Sequence, residues 1–258
     1  MKIVRFQKQN KIHWGILEED TIFALEGDLY GDFAKGNELC RMKEVRLLAP
    51  AEPSIMLCVG MNYKERFNEY DFKKTGWMAP EEPILFFKPA AAVIGPTDDV
   101  IFPAIAQTLR YEAELCVVIK RLARNVIEKE AMDYVLGYTC GNELGAIDLM
   151  KKDKWLTRAK GFDTSGPLGP WIVTDLDPGN LSIKSRVNGE KKQDSNTRFM
   201  IFSVEKLISY ISAFMTLRPG DIIWTGTPEG VGDVKVGDVM EVEIEGIGIL
   251  KNKVASPR

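Results

Sequence analysis

The chain has 258 residues, 45% of them hydrophobic and 28% charged, with a formal net charge of -3. That length accommodates one large domain, or a large one and a small one, and the slight acidic excess argues against a nucleic-acid partner. No apolar run approaches about 18 residues, so no membrane span is expected, and Met1-Lys2-Ile3-Val4-Arg5 carries no apolar signal core, which points to a cytoplasmic protein.

Taken in order, residues 1–50 read as a small β-rich domain. Ile3 to Phe6 and Ile12 to Leu17 make a hairpin around a turn at 7–11, and Ile22 to Leu25 follows Asp20-Thr21. The single histidine, His13, alternates within the second strand, where a packing or surface role suits it better than catalysis. Pro50-Ala51-Glu52-Pro53 reads as the linker to a main domain over 53–258, which opens with the strand Ile55 to Gly60. Asn62 and Glu65 have the spacing of a capping box, predicting a helix that carries Arg66 and Glu69 on one face. Residues 71–83 lack periodicity and contain Gly and Pro, so they read as a mobile loop with an exposed Trp77, suited to a lid. Ile84 to Pro89 returns to strand.

Tyr111-Glu112-Ala113-Glu114-Leu115-Cys116-Val117-Val118-Ile119 is the most informative stretch. Its β-branched content predicts a strand. Glu112 and Glu114 then share one face, with Cα atoms roughly 6.5 Å apart. Two carboxylates at that spacing either converge on a cation or project separately into water. Ile127 to Leu136 predicts an amphipathic helix with Ala131, Met132 and Val135 inward, and Gly137 to Asn142 a strand that delivers Glu143 to the start of a short helix containing Asp148. Three glycines and two prolines within residues 161–170 predict a tightly shaped loop after Lys160. Leu181 to Val187 with Asn188-Gly189 is a hairpin signal. Ser203 to Met215 predicts a helix with Leu207, Ile208, Ile211, Phe214 and Met215 on one stripe, and Val239 to Ile244 with Ile247 to Val254 a terminal hairpin around Gly246. The Gly226 to Gly232 loop lacks the Gly-Lys-Ser/Thr of a phosphate loop. Strands dominate without regular βαβ alternation, which excludes a doubly wound parallel sheet.

Cys40, Cys58, Cys116 and Cys140 form no Cys-x-x-Cys pair, so buried free thiols are expected rather than a zinc or redox motif. With one histidine in an N-terminal hairpin, any metal must be held mainly by oxygen, which points to Mg²⁺ or Mn²⁺, with Ca²⁺ also compatible, rather than zinc. Glu112, Glu114 and Glu143 are the available carboxylates. If they converge, each close pair repels by roughly 4 kcal/mol at an effective dielectric near 20. A cation or retained protons must offset this, and Lys160 supplies a positive group that could polarise a carbonyl or enolate oxygen.

Several segments together resemble the fumarylacetoacetate hydrolase family, in its short bacterial branch of 2-oxo-acid hydrolases, isomerases and decarboxylases. They include Cys58-Val59-Gly60-Met61-Asn62-Tyr63, Glu82 to Pro89, Tyr111 to Leu115, Ala131 to Thr139, Lys160-Gly161-Phe162-Asp163-Thr164, Val187-Asn188-Gly189 and Thr225 to Gly232. The resemblance implies a mainly β, α+β fold: a mixed β-sandwich roll behind a small β-rich N-terminal domain, a homodimer, and one divalent metal. By it, Glu112 and Glu114 match the family's Glu-x-Glu metal ligands, and Glu143 stands where an aspartate is usual as third ligand. Lys160 matches the lysine on the substrate oxygens, and Thr227 the threonine on the substrate carboxylate. Glu69 matches a proton-transfer glutamate, but Arg66 replaces the histidine that usually accompanies it, and Ile147 replaces a usual arginine. A guanidinium is no general base, though Arg66 could pair with Glu69 or bind a second substrate carboxylate.

The implied activity is metal-dependent chemistry on a small 2-oxo or enol di-acid through a stabilised enolate, with isomerisation or decarboxylation in aromatic-acid catabolism favoured. C–C hydrolysis of an acylpyruvate or fumarylpyruvate and a non-catalytic 2-oxo-acid-binding relative are the alternatives.

Overall fold

Alternating apolar residues build the N-terminal strands. In the computed structural model, which describes residues 1–69 and 79–257 (the side chains of 68 and 69 excepted), β1 (Lys2–Lys8), β2 (Lys11–Glu18), β3 (Thr21–Gly27) and β4 (Phe33–Arg41) form an antiparallel meander, and β5 (Arg46–Leu47) pairs with β1. The first turn is tighter than the predicted 7–11: Lys8 pairs with Lys11, leaving only Gln9 and Asn10, both at positive φ. Positive φ at both turn residues matches the right-handed strand twist. His13 lies on β2 with its ring stacked on Phe6, centroids 5.5 Å apart, which is the packing role predicted for it.

The meander joins the sheet of the main domain. β1 pairs antiparallel with β13 (Gly166–Val173), placing Ile3 opposite Ile172, so the N-terminal strands extend the central sheet. That sheet continues through β12 (Val135–Asn142), β11 (Ala113–Ile119), β16 (Ile222–Trp224), β6 (Met56–Gly60) and β7 (Ile84–Lys88), in that order. Most neighbours are antiparallel, but β16 and β6 run parallel. The short β8 (Val93–Ile94) adds parallel to β13. A second sheet runs β15 (Glu190–Asn196), β14 (Ser182–Val187), β18 (Val239–Ile244), β19 (Gly248–Ala255) and β9 (Val100–Ile101). A two-stranded ribbon pairs β10 (Leu109–Tyr111) with β17 (Gly232–Val234). Both predicted hairpins form. Asn188 and Gly189 sit at φ 53° and 81° between β14 and β15, and Gly246 lies in the turn between β18 and β19.

β11 is buried on both faces, which excludes the solvated acidic edge that its sequence left open. Leu115, Val117 and Ile119 pack toward Ile183, Val242, Ile244 and Leu250 of the second sheet. Cys116 and Val118 turn the other way, into a core with Met56, Cys58, Ile222 and Trp224. A strand buried on two sides needs an unbroken apolar run, and Leu115 to Ile119 supplies one. All four cysteines are buried and free. The first core is closed by α3 (Val204–Phe214), which buries Leu207, Ile208 and Ile211 but leaves Phe214 exposed. The Ser203 hydroxyl caps it by accepting the Lys206 amide at 3.3 Å.

Three local expectations are corrected. Ile127 to Leu136 is not an amphipathic α-helix. A 3-10 segment spans Glu128–Tyr134, only Ala131 of it is buried, Met132 is exposed, and Val135 already belongs to β12. The Gly/Pro-rich stretch is a loop only as far as Ser165, because Gly166 to Pro170 are strand. Asn62 does not cap the 3-10 segment at Lys64–Glu69. Its buried amide instead donates to the carbonyls of Phe202 (3.1 Å) and Thr225 (2.8 Å) and accepts the Phe202 amide. Glu65 accepts the Ser195 hydroxyl rather than reaching back along its own segment. The predicted lid with Trp77 lies largely outside the described residues. Among those residues no helix is long and apolar enough to cross a membrane.

Candidate active site

Three carboxylates converge where β11 and β12 lie side by side. Ala113 pairs with Asn142, so Glu112 and Glu143 flank the same end of the ladder, and the Glu143 amide donates to the Glu112 carbonyl at 2.8 Å. Period-2 alternation brings Glu114 onto the face of Glu112. One oxygen from each of Glu112, Glu114 and Glu143 lies within 4.8 Å of the others. Glu143 precedes α1 (Ile147–Asp153), and Lys160 ends the short α2 (Thr157–Lys160). The helix thus begins four residues beyond Glu143 rather than at it.

Lys160 reaches back between two of the acids. Its ammonium lies 3.2 Å from Glu112 and donates to Glu143 Oε2. Gly145 leaves room for this reach, since a Cβ there would come within 2.9 Å of the Lys160 Nζ. Burial disfavours the Lys160 charge, but Glu112 and Glu143 outweigh it and hold its pKa above the ordinary lysine range.

A second lysine, Lys88 at the end of β7, was given no role by the sequence. Its side chain and that of Glu143 are both wholly buried, and its Nζ lies 2.7 Å from Glu143 Oε1. The three ammonium hydrogens, however, go to the Leu144 carbonyl (3.0 Å), the Ser165 hydroxyl (3.0 Å) and the Lys160 carbonyl. Glu143 Oε1 therefore has an adjacent charge but no hydrogen-bond donor. The signal for Lys88 was a lysine closing the apolar run Ile84-Leu85-Phe86-Phe87, but its partners lie 56 to 77 residues away.

The electrostatics separate the three acids. Burial pushes Glu114 well above the ordinary carboxylate value, and the charges of Glu143 and Glu112 push it further, against one hydrogen bond from the Gly226 amide at 2.8 Å. Burial also raises Glu112, opposed by the Lys160 ammonium and, more weakly, by the Arg66 guanidinium. At Glu143 burial is outweighed by Lys160 and Lys88 together, which hold it below its usual value. Three carboxylates against two lysines leave one negative charge in a desolvated site, and Arg66, itself buried, adds a further positive charge near Glu112. An all-carboxylate donor set converging within 4.8 Å in a buried site fits a hard divalent cation.

Thr227 is brought to the same place by Gly226, whose φ of 94° and tight approach to Asn62 and Val59 leave no room for a Cβ. The Thr227 hydroxyl accepts the Gln193 amide at 2.8 Å. Gln193 is another residue the sequence did not single out. It sits in the polar strand Glu190–Asn196 yet is buried. The Glu69 side chain lies outside the described residues.

The chain is similar to known proteins over most of its length. Residues 55–255 match the family described as fumarylacetoacetate (FAA) hydrolase C-terminal, and residues 1–50 match one described as Rv2993c-like, N-terminal. Mitochondrial oxaloacetate tautomerase fahd2 of Xenopus laevis is 43% identical over 224 residues, covering 81% of this chain and 68% of that protein. The crystal structure of 2-hydroxyhepta-2,4-diene-1,7-dioate isomerase from Mycobacterium marinum superposes with a TM-score of 0.90 at 39% identity, covering 99% of this chain and 98% of that one. Maleylpyruvate hydrolase from Sphingobium sp. SYK-6, in complex with manganese(II) and pyruvate, superposes with a TM-score of 0.82 at 28% identity over the full length of both chains. The match over residues 55–255 spans most of the chain, which therefore belongs to the fumarylacetoacetate hydrolase family of enzymes.

Proposed function

We propose that this protein is a divalent-metal-dependent enzyme that moves a proton next to the 2-oxo group of a small 2-oxo or enol di-acid, catalysing isomerisation, tautomerisation or decarboxylation. The observation that carries this reading is the convergence of Glu112, Glu114 and Glu143 within 4.8 Å beside the Lys160 ammonium. Glu112, Glu114 and Glu143 would hold Mg²⁺ or Mn²⁺, which when bound supplies a Lewis acid for negative charge on a substrate oxygen. Loss of a proton or of CO₂ next to a 2-oxo group leaves that charge on the oxygen. Lys160, kept protonated by its two carboxylates, provides a fixed positive group for it in a water-poor site. The Thr227 hydroxyl donates to the substrate carboxylate, and Glu69 transfers the proton.

Hydrolysis needs a base to activate water. The chain's one histidine is committed to stacking on Phe6 in the N-terminal sheet, and a guanidinium is no general base. Arg66 suits instead the second carboxylate of a di-acid. The likeness to maleylpyruvate hydrolase supports C–C hydrolysis as the second reading.

A proton-NMR time course in D₂O, with Mn²⁺-free Mg²⁺-loaded protein and a panel of oxaloacetate, acylpyruvates and hydroxymuconate-type dienoates, separates the two. EDTA-sensitive deuterium uptake, double-bond migration or CO₂ loss without cleavage is the expected result. Release of two acids from one substrate would establish hydrolysis instead. No turnover and no deuterium uptake on any substrate, with metal bound, would overturn both.

A further inference from the structure

Gln193 is almost wholly buried, and its side-chain amide uses every hydrogen-bonding position it has. Nε2 donates to the Thr227 hydroxyl at 2.8 Å and to the Pro228 carbonyl at 3.0 Å. Oε1 accepts the Ala113 amide at 3.0 Å and the Ser185 hydroxyl at 2.9 Å. Two of these partners are backbone groups of fixed polarity. A backbone N–H only donates and a carbonyl only accepts, so Ala113 and Pro228 between them permit one orientation of the amide. Turned over, it would set two donors against each other at Ala113 and two acceptors at Pro228.

That orientation fixes the chemistry of the neighbouring hydroxyl. Because Gln193 presents an N–H to the Thr227 oxygen, the oxygen accepts there, and its own proton must go elsewhere. Among the described residues no acceptor takes it. Thr227 follows Gly226, whose amide is already on Glu114, so the unspent proton belongs to a group beside the carboxylate cluster. The same amide also holds Ala113, the residue between Glu112 and Glu114. One side chain thus sets both the polarity of the hydroxyl and the backbone from which two of the three acids project.

We infer that Gln193 is a positioning residue that makes the Thr227 hydroxyl an obligate donor to an anionic ligand oxygen, a carboxylate in particular, and registers that donor against the Glu112–Glu114 strand. The inference rests on the proposed placement of Thr227 at the substrate carboxylate. Gln193→Glu is the discriminating change. It is close in shape, but a carboxylate has no N–H for Thr227, so the hydroxyl turns its proton toward residue 193 and the ligand loses its donor.

The test is the affinity of Mn²⁺-loaded protein for oxalate by calorimetry, in Thr227→Val, Gln193→Glu, Gln193→Met and the two double variants. Thr227→Val and Gln193→Glu should each weaken oxalate about tenfold. In the Thr227→Val background neither Gln193 substitution should weaken it further by more than about twofold, the non-additivity of groups acting as a unit. Gln193→Met, which removes the amide without adding a buried charge, carries the same comparison if Gln193→Glu does not fold. Losses that add in the double variants, or full oxalate affinity in a folded Gln193 variant, would overturn the inference and leave the role of Thr227 standing. Full affinity in Thr227→Val would overturn the placement of Thr227 itself, and the inference with it.

Discussion

Lys88 and Lys160 hold opposite oxygens of one carboxylate, that of Glu143, and are joined to each other because Lys88 donates to the Lys160 carbonyl. The two lysines differ in character. Burial dominates at Lys88 and lowers its pKa, whereas Glu112 and Glu143 raise that of Lys160. Lys88 is a brace with all its donors committed, and Lys160 is the charge that faces the remaining acids.

Replacing the brace should be costly. Lys88→Met leaves Glu143 Oε1 without its neighbouring charge and strips donors from the Leu144 carbonyl and Ser165 hydroxyl. A loss of about 3–5 kcal/mol in unfolding free energy is expected, measured by urea denaturation. The double variant Lys88→Met/Glu143→Gln should lose less than the sum of the two single changes. A loss under about 1 kcal/mol for Lys88→Met would show that the pair does not support the fold.

Removing one acid should remove the metal and spare the fold. Glu114→Gln keeps an oxygen for the Gly226 amide and relieves a carboxylate that burial and two neighbouring charges disfavour. Mg²⁺ or Mn²⁺ binding by calorimetry should vanish while the melting temperature of the metal-depleted protein stays level or rises. Undiminished metal affinity would exclude Glu114 as a ligand.

Arg66→His should raise hydrolysis. The substitution puts an imidazole at the position whose present charge acts on Glu112, and a general base contributes about 100-fold or more where geometry permits. Cleavage of an acylpyruvate, followed by loss of its absorbance, is the readout. Equal rates in the two proteins would place Arg66 away from the proton-transfer position.

Asp148 should matter above acid pH only. Burial raises its pKa, but the amides of Gln107 and Thr108 and the Thr108 hydroxyl outweigh that and hold it below 3.8. A carboxyl lowered in the folded state contributes stability in full above its unfolded value and loses it as pH falls through the folded one. Asp148→Asn should therefore lower the melting temperature at pH 7, and the gap to the parent protein should close below about pH 3.8. A gap that is constant with pH would assign the effect to shape rather than charge.

Local pattern revealed the parts of the site that depend on local pattern. Alternation placed Glu112 and Glu114 on one face, and Asn188-Gly189 announced its hairpin, because both follow from backbone period and turn chemistry. Asn62 was misread for the converse reason. Its spacing to Glu65 satisfies a capping box, yet acceptors at Phe202 and Thr225, 140 and 163 residues away, take its amide instead. Lys88 and Gln193 were invisible on the same ground. A lysine after an apolar strand and a glutamine within Lys191-Lys192-Gln193-Asp194 look solvated until the elements that bury them are in place. Residues 128–134 form a 3-10 segment rather than an α-helix, and Val135 after them already pairs with Ile119.

The pairing of β1 with β13 has a consequence for biosynthesis. Ile3 lies opposite Ile172, so β1 leaves the ribosome well before the strand that pairs with it, 169 residues further along the chain. At about 5–20 residues per second the interval is roughly 10–30 s. During it the inner edge of the meander has no partner from the central sheet, and a nascent neighbour on the same message presents the same open edge. The strand that later closes it follows Lys160, so β1 finds this partner only after the segment that carries one of the site's lysines has been made.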